Sequence, residues 1–567
     1  MIYRQEHPKP QFERKTWKNL NGKWEFAVDE GDSGEERKLF EETVKLKNRI
    51  NVPFCPESEL SGIGNKDFMS SVWYKRKFTL TAENLRGRTF IRFGAVDHKA
   101  FVYINGNFVG KHVGGYSSFS FEITDFVREG ENDITVNAKD DTRDPLIPTG
   151  KQSTRYYSYS CCYTRTTGIW QTVWLEFTPE TYVKKVKYLP DANAGTLTVV
   201  AELEGRADLS VNTSFGGRKT GGATVKAASG VTTLTVPLKE KVLWEVGKGN
   251  LYDVNITFGQ DKIKSYFGLR NVRLDGYKFL INEKSVFQRL VLDQGFYPDG
   301  IYTAPSDREL ELDIDRSIAM GFNGARLHQK VFEERFLYHC DKKGYIVWGE
   351  YPCWGLDYSR FDALSYMLPE WEETLDRDFN HPAIIGWCPF NETWDFEGRR
   401  QNDEVIRIIY RTTKALDNTR PCIDTSGWFH VETDIYDEHD YDQNPETFAA
   451  RYEPLKTEGT YKGNFPERQK YVKGMPIFIS EYGGIRWTDD KAGWGYGNAP
   501  ETKEEFLSRL KGLTDALLDN PKMFAFCYTQ LTDVEQEQNG LYTYDRKAKF
   551  PAEQIRPIFS RKAAIED

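Results

Sequence analysis

Over roughly the first 180 residues the chain alternates apolar and polar positions in short runs separated by turn residues. Val72-Trp73-Tyr74-Lys75-Arg76-Lys77-Phe78 and Ala100-Phe101-Val102-Tyr103-Ile104 have the period-two pattern of half-buried antiparallel strands. Asn105-Gly106 follows the second run and precedes Phe108-Val109, a two-residue hairpin whose turn positions both need positive φ. Regular strands with no helical period between them predict a β jelly-roll over residues 1–180. A second β block, 181–268, contains the alternating runs 196–200 and 231–236, with Gly216-Gly217 and Gly221-Gly222 assigned to loops. Its size of about 90 residues suits an immunoglobulin-like β-sandwich, without the cysteine pair of antibody domains.

From about residue 269 short apolar runs alternate with amphipathic helices. The runs 286–293, 322–327, 345–348, 383–387, 421–424, 433–436, 476–479 and 523–528 are eight candidate strands. Helices are predicted over 307–320, with Ser306 as N-cap, and over 333–343, 370–379, 403–415 and 552–559. Eight alternating units in about 300 residues predict a C-terminal (β/α)8 TIM barrel over 269–567. An open doubly wound sheet is the structural rival, but it ordinarily carries a glycine-rich phosphate turn after an early strand, and none is found here.

Composition narrows the function classes. The net charge of −9 disfavours a polyanion, so no nucleic acid partner is expected. No stretch approaches 18 apolar residues and the N-terminus lacks a signal-peptide core, so no membrane association and a cytoplasmic location are expected. Eight cysteines without regular spacing read as free thiols in a reducing compartment, the neighbours Cys161-Cys162 leaving a vicinal disulfide open. With eight histidines and no zinc spacing, neither a metal nor any other cofactor is called for. Aromatics reach 14%, a surplus read first as the filling of large β cores, with stacking against sugars as the sharper alternative.

In a parallel barrel the reacting groups gather at the C-terminal strand ends. The fourth strand ends in Pro389-Phe390-Asn391-Glu392 and the seventh in Phe478-Ile479-Ser480-Glu481-Tyr482. A single glutamate after a strand is ordinarily a solvated loop residue. Two that reach one mouth from opposite sides supply the acid/base and the nucleophile of retaining glycoside hydrolysis, about 5–5.5 Å apart. Asn391 adds an amide suited to a sugar hydroxyl.

These segments resemble glycoside hydrolase family 2, the family of β-galactosidases, β-glucuronidases and β-mannosidases. Asn391-Glu392 resembles its acid/base segment and Ile479-Ser480-Glu481-Tyr482-Gly483-Gly484 its nucleophile segment. Gly94-Ala95-Val96-Asp97, Asn105-Gly106, Val109-Gly110, His112 and Gly114-Gly115-Tyr116 are similar to its N-terminal jelly roll, and Gly168-Ile169-Trp170 to the exit into its sandwich. The resemblance implies Glu392 as acid/base and Glu481 as nucleophile. Arg326 would hold the nucleophile ionised, and Tyr441, with His439 as competitor, would hydrogen-bond it. Tyr528 and Gln530 would stand where relatives place an aromatic sugar platform, and Trp428 and Trp487 would line the cleft. The family's dimers and tetramers imply a homo-oligomer.

Three departures bear on the sugar. Glucuronidases of the family read the uronate with Asn-x-Lys before the last helix, where this chain has Glu535-Gln536-Glu537-Gln538-Asn539-Gly540. Carboxylates there would repel a uronate. Leu327-His328-Gln329-Lys330 displaces by one position the histidine that relatives carry after the second strand, and Leu292-Asp293-Gln294 replaces an Asn-x-His-Glu, leaving Asp293 as an acceptor for sugar hydroxyls. The expectation is a retaining exo-β-glycosidase on neutral sugars, β-galactoside first. A β-glucoside, a uronide or an arabinoside is the alternative, and a non-catalytic carbohydrate-binding protein is the rival class.

Overall fold

The computed structural model describes residues 3–396 and 399–566. A jelly roll comes first. Its six-stranded sheet runs in the spatial order Asn48–Val52, Gly22–Val28, Ser71–Leu80, Gly130–Lys139, Lys99–Ile104, Asn107–Val113. It faces a four-stranded sheet of Trp17–Asn19, Val173–Thr178, Arg88–Phe93 and Phe119–Glu122. The inward positions of both, among them Trp24, Tyr74, Ile91, Val136 and Leu175, form one buried core. The hairpin turn is as predicted, with φ of 49° at Asn105 and 75° at Gly106.

An immunoglobulin-like sandwich of five strands follows: Tyr182–Asp191, Thr196–Phe215, Arg218–Pro237, Tyr252–Phe258 and Asp261–Phe267. The 20-residue strand Thr196–Phe215 pairs with Tyr182–Asp191 over its first half and with Tyr252–Phe258 over its second. Register shifts between Leu203 and Leu209 separate the two halves. Gly216-Gly217 forms the turn at its end, but Gly221-Gly222 lies inside the next strand rather than in a loop. The reason is contact: a Cβ on Gly221 would come 2.6 Å from the Pro237 carbonyl.

The barrel strands are β1 (Gln288–Asp293), β2 (Gly324–Leu327), β3 (Ile346–Glu350), β4 (Ile384–Cys388), β5 (Thr425–Ser426), β6 (Tyr436–Asp440), β7 (Ile477–Gly483) and β8 (Met523–Thr529). The helices are α1 (Asp307–Met320), α2 (Glu334–Lys343), α3 (Leu364–Asp378), α4 (Asp403–Leu416), α5 (Pro445–Glu458), α6 (Lys503–Leu518) and α7 (Ala552–Phe559). One parallel ladder runs from β4 through β3, β2, β1, β8 and β7 to β6. β5 pairs with Phe390–Asn391 beyond β4. Between β5 and β6 the wall is closed by side chains: Ser426 Oγ and Gly427 N both donate to Asp437 Oδ2, at 2.6 and 3.1 Å. As predicted, Ser306 caps α1 through the Glu309 amide. Helices α5 and α6 were not predicted from the sequence; α5 contains Pro454, and Gly512 in α6 abuts Pro445.

The domains are joined by buried polar contacts. Arg14 donates to Asp261 at 2.8 Å through two nitrogens and also pairs with Glu176, tying jelly roll to sandwich. Gly114-Gly115-Tyr116 docks on the barrel, where the Tyr116 amide donates to Glu370 Oε1 at 2.6 Å. A Cβ on Gly114 would meet Glu370 at 3.0 Å, which explains the glycine there. This docking lays residues 141–166 of the jelly roll across the barrel mouth. All eight cysteines are free thiols, Cys161 and Cys162 included. Among the described residues no helix is long and apolar enough to cross a membrane.

Candidate active site

Arg326, inward on β2, organises the mouth. Its Nε pairs with Glu350 Oε1 at 2.6 Å, and Nη1 reaches Glu481 Oε1 at 3.1 Å and the Ser480 carbonyl at 2.8 Å. Nη2 donates to Asn391 Oδ1 at 2.9 Å. One planar guanidinium thus braces the ends of β3, β4 and β7, which a lysine's point charge would not do. Its buried position is tolerable because two carboxylates and two neutral acceptors surround it. With Oδ1 engaged, Asn391 keeps Nδ2 buried beside the two glutamates and without a partner.

Glu481 Oε2 accepts from Tyr441 Oη at 2.5 Å, and that hydroxyl is also 3.1 Å from Thr529 Oγ1. The Tyr441 ring stacks on Tyr496, with centroids 3.4 Å apart. Glu392 takes a left-handed backbone (φ 46°) held by its amide hydrogen bond to the Ser426 carbonyl at 2.9 Å. His439 stands between the two glutamates, with Nδ1 2.7 Å from Glu392 Oε1 and Nε2 3.5 Å from Glu481 Oε1. One ligand atom of each of the three residues lies within 4.8 Å of the others. Tyr441 and His439 are therefore not rivals for one role: the first meets Glu481, the second joins both acids.

Burial opposes charge on Glu392, but the hydrogen bond with His439, then the fields of Lys151 and Arg326, outweigh it and hold its pKa below the ordinary 4.5. Burial likewise opposes charge on His439, and the Glu481 and Glu392 carboxylates raise its pKa above 6.5 despite it. His328, 3.1 Å from Glu350 Oε2 and 4.0 Å from Glu481 Oε1, goes the other way, driven well below 6.5 by burial and by Lys151.

Two predicted residues face away. Leu292 is the ladder partner of Arg326, so Leu292 points inward and Asp293 outward toward the helix layer. The Asp293 carboxylate caps the Gly295 amide at 2.9 Å, and burial and Asp313 raise its pKa to about 6. Tyr528 is likewise turned out between Tyr482 and Phe559, fully buried; Thr529 is the β8 residue that reaches Tyr441. Gln530 is buried in an amide chain, accepting from Gln294 and donating to Asn539. Trp428 is half-buried at the rim, packed on Phe465, with its carbonyl near Thr393 Oγ1 at 3.4 Å. Trp487 packs between Phe506 and Phe550, away from the acids.

The sequence reading missed several contributors. Glu350 ends β3 after an apolar run, the same signal that marked Glu392 and Glu481. Trp354 Nε1 donates to the Asn391 carbonyl at 3.0 Å. Lys151, from the jelly roll, lies over the Trp354 ring at 3.8 Å from its centroid. The acidic run after β8 behaves differently from the expectation. Glu535 accepts from Thr164 Oγ1 at 2.5 Å, and Glu537 accepts from Tyr163 Oη at 2.5 Å and Asn539 Nδ2 at 3.2 Å. These carboxylates clamp the jelly-roll loop, so their mere presence does not exclude an anionic sugar.

Profiles of glycosyl hydrolases family 2 match all three parts: the sugar binding domain at 17–143, the middle domain at 181–270 and the TIM barrel domain at 272–488. The chain belongs to glycoside hydrolase family 2 and is a glycoside hydrolase. It is 24% identical to a β-glucuronidase of Paenibacillus borealis over 95% of this chain and 96% of that one. A β-galactosidase of Thermoanaerobacter pseudethanolicus, also 24% identical, matches over 63% of this chain and 48% of its own length. The chain spans 58% of the length of a relative from Formosa agariphila. Among solved structures, the β-glucuronidase of an uncultured Clostridium superposes with a TM-score of 0.80 at 22% identity, covering 97% of this chain and 99% of that one.

Proposed function

We propose that the protein is a retaining, exo-acting β-glycosidase, with Glu481 as nucleophile and Glu392 as acid/base, and that its substrates are terminal β-linked uronides. The observation that carries the mechanism is that a carboxylate oxygen of Glu392 and one of Glu481 lie within 4.8 Å of each other, too close to leave room for the water of an inverting pair, whose carboxyl groups stand about 6.5–9.5 Å apart. Glu481, oriented by Arg326 and Tyr441, attacks the anomeric carbon. Glu392 protonates the departing oxygen and then takes a proton from water, which opens the glycosyl–enzyme ester. Asn391 Nδ2 is placed to donate to a sugar hydroxyl beside the reacting carbon.

Exo action is supported by the jelly-roll loop across the mouth. Its Ser160 carbonyl accepts from Trp494 Nε1 at 2.7 Å and Gln536 Nε2 at 2.6 Å, turning one side of the mouth into a wall. The uronide reading is supported by the β-glucuronidases among the relatives, matched along nearly the whole chain. A β-galactoside is the second reading, favoured by the shorter match to a β-galactosidase.

The test is a panel of p-nitrophenyl glycosides with wild type, Glu392→Gln and Glu481→Gln, and proton NMR of the first anomer released. A β anomer first, and loss of roughly 10³-fold or more in turnover for Glu481→Gln, are expected. An α anomer first, or activity surviving Glu481→Gln, would sink the mechanism. Neutral glycosides cleaved in preference to every uronide would replace the sugar.

A further inference from the structure

Lys151 belongs to the jelly roll, yet its surroundings belong to the barrel. The Thr149 amide donates to the Trp354 carbonyl at 2.7 Å, and the Gly150 amide to the Pro352 carbonyl at 3.1 Å. Gly150 has a φ of 57°, and a Cβ there would stand 2.4 Å from the Gln329 carbonyl, so only glycine lets the loop come this close. On the far side the Tyr163 amide donates to the Lys151 carbonyl at 2.7 Å, and Tyr163 is itself tied to Glu537. The backbone of Lys151 is thus fixed from both directions.

Its side chain is 5% exposed, and among the described residues no carboxylate lies within 4.0 Å of the ammonium. Trp354 supplies the face beneath it, and the edge of that indole holds the Asn391 carbonyl. The charges that face Lys151 are Cys161, Glu537, Glu392 and Glu481. Those anions hold the ammonium charged against burial, yet among the described residues none is bonded to it, so its N–H donors are open to a ligand. Lys330, a buried lysine that follows β2 in the barrel, is by contrast spent on the Gly295 and Tyr302 carbonyls at 2.5 and 2.8 Å.

We propose that Lys151 is the receptor for an anionic group on the glycone, so that the jelly roll reads the sugar that the barrel cleaves. Resting on the glycosidase reading above, this supplies the cation that the segment after β8 lacks. A uronate carboxylate and a sulfate ester offer the same chemistry to an ammonium; the uronate fits the relatives.

The test compares kcat/KM of wild type, Lys151→Met and Lys151→Arg on p-nitrophenyl β-D-glucuronide, p-nitrophenyl β-D-galactoside and its 6-sulfate. The expected result is a fall of about 100-fold in the glucuronide-to-galactoside ratio for Lys151→Met, the effect of removing one partner of a desolvated charge pair. Lys151→Arg should restore at least a tenth of the ratio. If neutral turnover is too slow for a ratio, the Ki of free glucuronate should rise by a similar factor in Lys151→Met, with an unchanged melting temperature as the check on folding. An equal loss on charged and neutral glycosides, or no loss, overturns the assignment. A 6-sulfate cleaved in preference to the uronide and lost in Lys151→Met keeps the receptor and replaces the carboxylate. Cleavage of neutral sugars alone by wild type overturns the uronide reading itself, whereas uronide cleavage indifferent to Lys151 overturns only the lysine.

Discussion

His439 Nδ1 lies 2.7 Å from Glu392 Oε1, and the pKa values of the two are displaced in opposite directions, the imidazole up and the carboxyl down. In the free protein the shared proton therefore resides on the imidazole. Protonation of the leaving group requires that it move to Glu392, which the entry of substrate and loss of water favour by destabilising the charge pair. The raised His439 pKa contributes stability below about 6.5 that is lost as pH rises through its folded value. The lowered Glu392 pKa contributes stability above about 4.5 that is lost on acidification. Replacing His439 with Asn should reduce kcat/KM on the order of 10²-fold and move the alkaline limb of its pH profile to lower pH, because Glu392 must then hold the proton alone. A pH profile with an unmoved alkaline limb would rule out the shared proton.

Arg326 is the brace whose removal exposes most. Glu350 and Glu481 are both buried beside it, so Arg326→Met leaves two uncompensated carboxylates and should destabilise the fold by about 3–5 kcal/mol. Arg326→Lys retains the charge but not the fork, so it should unfold at higher denaturant than Arg326→Met while still losing on the order of 10²-fold in kcat/KM. Urea titrations set beside turnover numbers check both. Equal stability of Arg326→Met and wild type would contradict the structure.

The layers of the fold and its two central glutamates were legible because they rest on local signals: alternation in the β domains, apolar runs that end in a carboxylate in the barrel. Where those signals fail, the reading slipped. β6 is composed of Tyr436, Asp437, Glu438, His439 and Asp440, five buried residues of which four are carboxylates or histidine, so the apolar run stops short of the strand. The outward turn of Asp293 and Tyr528 is a matter of one residue of register, which an apolar run does not specify. Lys151 lies beyond any local reading: only the docking of two domains far apart in sequence brings it to Glu392 and Glu481.

The adjacent thiols at the mouth should be chemically unlike. Cys161 is half-buried, and the adjoining Cys162 thiol, aided by Lys151 against the opposing effect of burial, pulls its pKa below the ordinary 9. Burial raises the pKa of each of the six buried thiols: Cys55, Cys340, Cys353, Cys388, Cys422 and Cys527. Iodoacetamide at pH 7 should therefore label Cys161 first, and the adduct beside Lys151 should lower glycosidase activity in step with labelling. Free glucuronate should slow the reaction by occupying the site. Peptide mapping by mass spectrometry checks the order, and labelling of any buried thiol ahead of Cys161 would contradict it.

Glu537 makes the pH dependence of an anionic substrate predictable in sign. Burial raises its pKa to about 7, against the field of Lys151 and the donors Tyr163 and Asn539. Below about 7 it is mostly neutral, and an anion at Lys151 meets little repulsion from it. Above that pH it is ionised and competes with the substrate for the same cation. The KM for a β-glucuronide should therefore climb as pH rises through 7, and the climb should flatten in Glu537→Gln, which keeps an acceptor for Tyr163 without the charge. A neutral glycoside carries no group for Lys151, so its KM should not follow this limb. Measuring KM for both substrates between pH 5.5 and 8.5 separates the cases. A uronide KM that climbs equally in wild type and Glu537→Gln would assign the limb to another group, with His439, whose own pKa is raised, the first to examine.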